Sequence, residues 1–292
     1  MQAIATRWCT LFMPSAPNLD AAGLTPPFEI SMPSTLRWFG EKALLKSHAL
    51  TRESYSTEEF LSNSQQPNST VLDSIRIKNT NFMRCESNSL ELERYSVDHG
   101  LKLASDADAT QAIGLVEAAI SDVIEPYPFL TSAISELVWR CHIVVAQGDD
   151  YDASFSDPAI PFSIFISVTA QKDRSSILRV AENLVHETMH LQLTLFEELS
   201  PLIDTTSAWS MYSPWKQQNR PAQGILHGLY VFHVLRWMWR QVLQTTTNKI
   251  DQAFSIRRIS EIDEQICSVR DFQKSPLLTE AGKQFLRALC DP

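Results

Sequence analysis

The chain has 292 residues, of which 44% are hydrophobic and 20% charged, with a formal net charge of −9. This is the composition of an ordinary globular protein, and its acidic balance, with no basic cluster to override it, argues against a nucleic acid or an anionic membrane surface as a general partner. No stretch approaches the roughly 18 uncharged apolar residues that a bilayer-spanning helix requires.

The length leaves open one large domain or two closely joined ones. Residues 1–14 carry one early Arg and a short apolar run broken by Pro, a poor secretory signal. Cys9, Cys85, Cys141, Cys267 and Cys290 are scattered, odd in number and form no CxxC pair, which suits reduced thiols and a cytoplasmic location. Residues 1–36 hold five prolines and little periodicity, so an extended arm is expected there. A short helix is expected over 36–48, then a Ser/Asn/Gln-rich loop over 54–69. The polar stretch 71–104 has no readable pattern.

From 106 to 124 the spacing of Ile113, Val116, Ile120 and Val123 predicts an amphipathic helix, and 126–136 reads as a second one. The run 137–145, with Cys141-His142 inside it, reads as a buried strand, in which that pair serves packing rather than ligation. Turn signals at Gly148-Asp149-Asp150 and Asp157-Pro158 precede a strand over 162–168. A long helix follows over 175–199, then a loop rich in Ser, Thr and Trp over 204–219. A second long helix is expected over 224–244, and 250–292 reads as scaffold helices with Ile262, Ile266, Val269 and Phe272 inward. The expected fold is α+β and mainly helical, with a small β-sheet next to a long metal-binding helix and a second ligand-bearing helix. Residues 1–105 read as an arm and irregular region and 106–292 as a catalytic domain, the two being able to form one continuous domain.

Chemistry concentrates in His186-Glu187-Thr188-Met189-His190. Histidines four apart on a helix share a face, and both imidazoles can reach one divalent ion at roughly 2.0–2.2 Å. The helix around them is apolar nearly all round, which predicts burial. Its polar stripe, Asn183, His186, Glu187, His190, Thr194 and Glu197, therefore needs partners. The competing reading is a core helix whose histidines are hydrogen-bonded to neighbours.

Two histidines do not complete a site. The peptidase pattern with Gly three and His six residues after the second histidine fails, because Leu193 and Phe196 stand there. A downstream glutamate ligand is also missing: between Glu198 and Asp251 the one acidic residue is Asp204. Glu197 has the right face but lies seven residues past His190, about 10 Å along the axis. His227 is then the leading third ligand, with Asp204 second. Gly224 and Gly228 bracket His227 and would allow a ligand or backbone to approach. Arg220, before Pro221, could grip a carboxylate through two parallel hydrogen bonds.

The pentad, followed by Arg220-Pro221-Ala222-Gln223-Gly224-Ile225-Leu226-His227-Gly228-Leu229-Tyr230, resembles the HExxH-type, α-ketoglutarate-dependent peptide β-hydroxylases that modify ribosomally made peptides. The Ser-Asp-Pro and apolar strand of 156–168 fit the same layout, and the resemblance covers about residues 134–240. It implies Fe(II) held by His186, His190 and His227, with α-ketoglutarate chelating the iron and Arg220 anchoring its carboxylate. The implied substrate is a precursor peptide, brought by a delivery partner or by the segment before Ala104. Glu187 would orient a ligand, a water or the substrate. The alternatives are a zinc metallopeptidase with Glu187 as general base, and a peptide-binding accessory protein with structural histidines.

Overall fold

The computed structural model describes residues 71–77, 81–86, 102–145, 153–157, 162–168, 173–205 and 209–290. The arm over 1–36, the helix over 36–48 and the loop over 54–69 lie outside the described residues. The described part is mainly helical with a small mixed sheet, as expected of an α+β chain. No described helix is long and apolar enough to cross a membrane. The chain divides into two compact units, one drawn from residues 32–192 and 247–254 and the other from 1–31, 193–246 and 255–292.

The first unit holds the sheet. Its strands are β1 (Val71–Ile77), β2 (Asn81–Glu86), β3 (Arg140–Val144), β4 (Ser154–Phe155) and β5 (Ser163–Ser167), in the order β1-β2-β3-β5-β4. β1 and β2 form an antiparallel pair in the stretch where the sequence shows no pattern. The reason is visible in their burial: Ile75, Ile77, Met83 and Cys85 point inward, while Asp73, Ser74 and Arg76 are exposed. The alternation is present, but interrupted by a bulge and by polar residues on the outer face. β3 and β5 are central and parallel, buried along nearly their whole length, which explains their continuous apolar runs.

Two helices separate β2 from β3. The first, α1 (Asp106–Ala119), starts at Ser105, whose hydroxyl accepts the Asp108 N–H at 3.2 Å, with Asp106 and Asp108 favourably placed at the positive helix end. It runs into a π-turn, Ile120–Ile124, and α2 (Pro128–Leu137) follows with Pro at its first position. Both helices pack on β1, and α1 reaches β3 while α2 reaches β2. Phe162, just before β5, has a positive φ of 58°. Its carbonyl accepts from both Trp139 and Arg140 N–H, and its ring stacks on Trp139 at 4.0 Å, which offsets the strained backbone. Cys85 and Cys141 are in register and fully buried, so the Cys141-His142 dipeptide is core, as its strand pattern suggested. Cys141, hydrogen-bonded to Cys85 and buried, has its thiol pushed up.

The helix α3 (Arg174–Leu199) leaves the sheet. Asp173 accepts the Ser176 N–H at 2.8 Å at its start, a hydrogen bond that holds this carboxyl below its usual range. Arg174 then forms a two-pronged contact with Asp251, at 2.8 and 2.9 Å.

The second unit contains a hairpin, β6 (Ser210–Ser213) and β7 (Gln218–Pro221), where the sequence reads as loop. Gln217 closes it with a φ of 51°. Next come α4 (Ala222–Thr245), α5 (Lys249–Ser268, whose first turn belongs to the first unit), the 3-10 turn Arg270–Lys274 and α6 (Glu280–Cys290). Trp239, Tyr230, Phe272 and Ile262 are fully buried here. Ile266 is half-buried rather than inward, one turn from the charged surface. Arg236 holds Asp263 at 3.0 Å.

Two buried histidines give the fold a pH dependence. Burial, and secondarily the charge of Arg140, lowers His142 to about 3. Burial also lowers His233 to about 4, against the opposing hydrogen bond from its Nδ1 to the Leu229 carbonyl. The unfolded chain protonates histidine near 6.5, so below that pH it binds protons the native state refuses. Stability is therefore full above about pH 6.5 and falls as pH drops toward 4, by up to about 1.4 kcal/mol per pH unit for each histidine. Glu86, raised by burial, acts in the opposite sense above about pH 4.5. Urea midpoints should drop from pH 7 to pH 5, and His142→Gln should flatten part of that slope; a midpoint constant over this range contradicts the assignment.

Candidate metal centre

The pentad lies in the middle of α3, and its setting follows from that helix's composition. Leu178, Ala181, Leu184, Val185 and Met189 are completely buried, while Arg179, Glu182, His186, His190 and Thr194 form a half-buried stripe along one face. Thr188 gives its hydroxyl hydrogen to the Leu184 carbonyl at 2.6 Å, which satisfies it within the helix. His186 and His190 are half-buried on one face, their Nε2 atoms 3.1 Å apart and their rings edge-on at 4.8 Å. Two nitrogens each about 2.1 Å from a common ion, at an angle of 90–110°, stand about 3.0–3.4 Å apart. The pair therefore fits two ligand positions of one metal.

Glu187 is 2% exposed. Ser156, just after β4, donates its hydroxyl to Glu187 Oε2 at 2.6 Å, and Glu187 Oε1 lies 3.8 Å from His186 Nε2. A short, charge-assisted bond of this kind fixes the carboxylate beside His186. The sequence contains Ser156 in its Ser-Asp-Pro signal without giving it a role, since nothing in that tripeptide points 31 residues ahead to Glu187.

In the second unit His227 Nε2 meets Glu197 Oε2 at 2.8 Å, and Gln223 donates to the same oxygen at 3.1 Å. α3 is unbroken through Glu197, so this carboxylate stays about two turns beyond His190, as its position in the sequence requires. Its partnership with His227 was not readable, because it depends on how α4 packs beside the end of α3. Arg220 is half-buried on β7, opposite Met211, with its side chain lying over Gly224. Asp204 is exposed, its backbone N–H bound to the Leu277 carbonyl.

The two glycines do something different from the expectation. A Cβ at Gly228 would meet ring carbons of Trp215 at 2.5 Å, and one at Gly224 would meet Arg220 Nε at 3.2 Å. The close approach they permit is by those side chains, not by a ligand. Trp215 in turn stacks on Phe232 at 5.1 Å, nearly parallel. Among the described residues, no three His, Cys, Asp or Glu side chains gather as a metal-ligand cluster. The first unit holds the His186–His190 pair with Glu187 beside it, and the second holds the His227–Glu197 pair.

Compared with known proteins, the chain matches no protein-family model and no curated protein sequence.

Two substitutions test the packing. Ser156→Ala leaves a buried Glu187 oxygen without its donor and should cost roughly 1–3 kcal/mol in urea unfolding, with Ser156→Thr recovering most of it. Gly228→Ala forces the Trp215 ring to move and should cost roughly 1–3 kcal/mol, with a shift in tryptophan emission. An unchanged melt and spectrum would contradict the Trp215 contact.

Proposed function

We propose that this chain is an Fe(II)- and α-ketoglutarate-dependent dioxygenase that hydroxylates the β-carbon of a residue in a ribosomally synthesised precursor peptide. The observation that carries this reading is the 3.1 Å separation of the His186 and His190 nitrogens on one helix face. These two residues would hold the iron. His227 is carried as the third ligand from the sequence pattern, with Glu197 accepting its Nε2–H and leaving Nδ1 as the lone-pair donor. When bound, iron and its oxo-acid cosubstrate would let dioxygen serve as the oxidant, one oxygen atom going to succinate as the oxo acid loses CO2 and the other to the substrate carbon as hydroxyl. Arg220 would anchor the cosubstrate's far carboxylate through two parallel N–H bonds.

Glu187 bears on the choice of chemistry. A zinc peptidase needs this carboxylate facing a metal-bound water as general base. Its burial and its bond from Ser156 support a positioning role instead, holding His186 rather than moving a proton. The substrate peptide would come by itself or with a delivery protein.

The test is cosubstrate turnover by the purified chain. Iron-dependent conversion of α-ketoglutarate to succinate is expected, falling roughly a hundredfold in His186→Ala and His190→Ala, while Glu187→Gln retains a measurable rate. His227→Ala should weaken iron binding more than Asp204→Ala does. Zinc-dependent peptide cleavage that stops on Glu187→Gln, with no succinate formed, would establish the peptidase instead.

A further inference from the structure

The first unit has a second feature, away from the histidines. The sheet ends at β1, which among the described residues has one neighbour, β2. Between β1 and the helix packed on it lies a groove of about 450 Å³, lined by Ile75 and Arg76 of β1, Gly114 and Glu117 of α1, and Ser121 and Glu125 of the π-turn region. An edge strand presents a row of backbone N–H and C=O groups able to pair with another extended chain. Gly114 keeps the groove wall low: a Cβ built there meets nothing within 4 Å. The π-turn at Ile120–Ile124 interrupts the helix beside the same groove, and such turns recur where a helix has been adapted to a function.

The charges select the occupant. Glu117 and Glu125 line the groove against the single cation Arg76, and neither glutamate takes part in an ion pair among the described residues. Asp122, between them, is engaged by Arg174 at 3.1 Å. Glu117 stands near the end of α1 and Glu125 just past the π-turn. In an extended strand, residues four apart share a face and lie about 13–14 Å apart. An extended strand with basic residues on one face presents them toward both carboxylates while its backbone pairs with β1.

We infer that the groove between β1 and α1 is a docking site for an extended, basic peptide segment that adds to the sheet as a further strand. This rests on the peptide-substrate part of the proposed function and assigns the groove to recognition at a distance from the modified residue. Backbone pairing supplies affinity with little sequence demand, and the two glutamates supply the selection.

The experiment uses the full chain and a fluorescein-labelled peptide of about twelve alternating Thr and Val residues with lysines four apart, compared with the same peptide carrying glutamates. Fluorescence anisotropy should detect binding of the lysine peptide at least roughly tenfold tighter than of the glutamate peptide, weakening as salt is raised. Gly114→Leu fills the groove and should abolish that binding while leaving the thermal midpoint unchanged or higher, since Leu replaces Gly inside a helix. The charge-reversed Glu117→Lys with Glu125→Lys should invert the preference. Amides of β1 should gain protection from hydrogen exchange when the lysine peptide binds. Equal binding of the two peptides, no binding of either, or wild-type binding by Gly114→Leu overturns the inference. Because anisotropy needs neither iron nor turnover, loss of docking with succinate formation intact removes this inference alone; docking without succinate formation removes the proposed chemistry alone.

Discussion

A helix that is apolar on nearly every side cannot hold two imidazoles and a carboxylate in its middle unless each is given a partner. That requirement governs how α3 is built. Thr188 is satisfied by the helix's own backbone, Glu187 by a hydroxyl from the end of β4, and the two histidines address one another across 3.1 Å. Leaving any of these groups buried and unpaired would cost free energy comparable to a lost hydrogen bond or more. The sheet of the first unit thus bears directly on α3. Just past β4 it delivers the Ser156 hydroxyl that binds Glu187.

The chemistry accessible to such a pair is set by distance. Nε2 atoms at 3.1 Å are close enough for one ring to donate to the other, and their separation also matches two ligand positions of one ion. His227 Nε2 lies 2.8 Å from Glu197 Oε2, a contact that fixes the orientation of its ring. The same carboxylate also accepts from Gln223, so the pair is held from two sides. Trp215, lodged over Gly228 and stacked on Phe232, ties the hairpin to the first turns of α4. Gly228 is small because an aromatic ring occupies the space its side chain would take.

Two further buried histidines show that residue type alone does not mark a site. His233 donates to the Leu229 carbonyl one turn back and faces Cys290 at 3.9 Å, which settles it as part of the core of the second unit. His142 stacks on Phe165 at 4.8 Å within β3 and β5, and burial keeps it neutral. His186 and His190 differ from these in being only half-buried and in pointing at the same place.

The sequence alone determined the elements whose pattern is written over many residues. These include the helix begun at Ser105, the apolar runs of β3 and β5, the uninterrupted α3 with its polar stripe, and the long α4. In each, periodicity or an unbroken apolar run is enforced by burial along the whole element, so it is legible one residue at a time. The pentad was legible for the same reason, because a helix places residues i and i+4 together whatever surrounds it. Tertiary structure decided the rest. β1 and β2 became strands by pairing with each other and with β3, despite polar outer faces and a bulge. The β6–β7 hairpin arose in a stretch that reads as loop. Ser156 found Glu187, Glu197 found His227, and the two glycines of α4 admitted Arg220 and Trp215 rather than a ligand. Each of these joins residues far apart in the chain or depends on which surface one element turns toward another, and no local pattern encodes that choice.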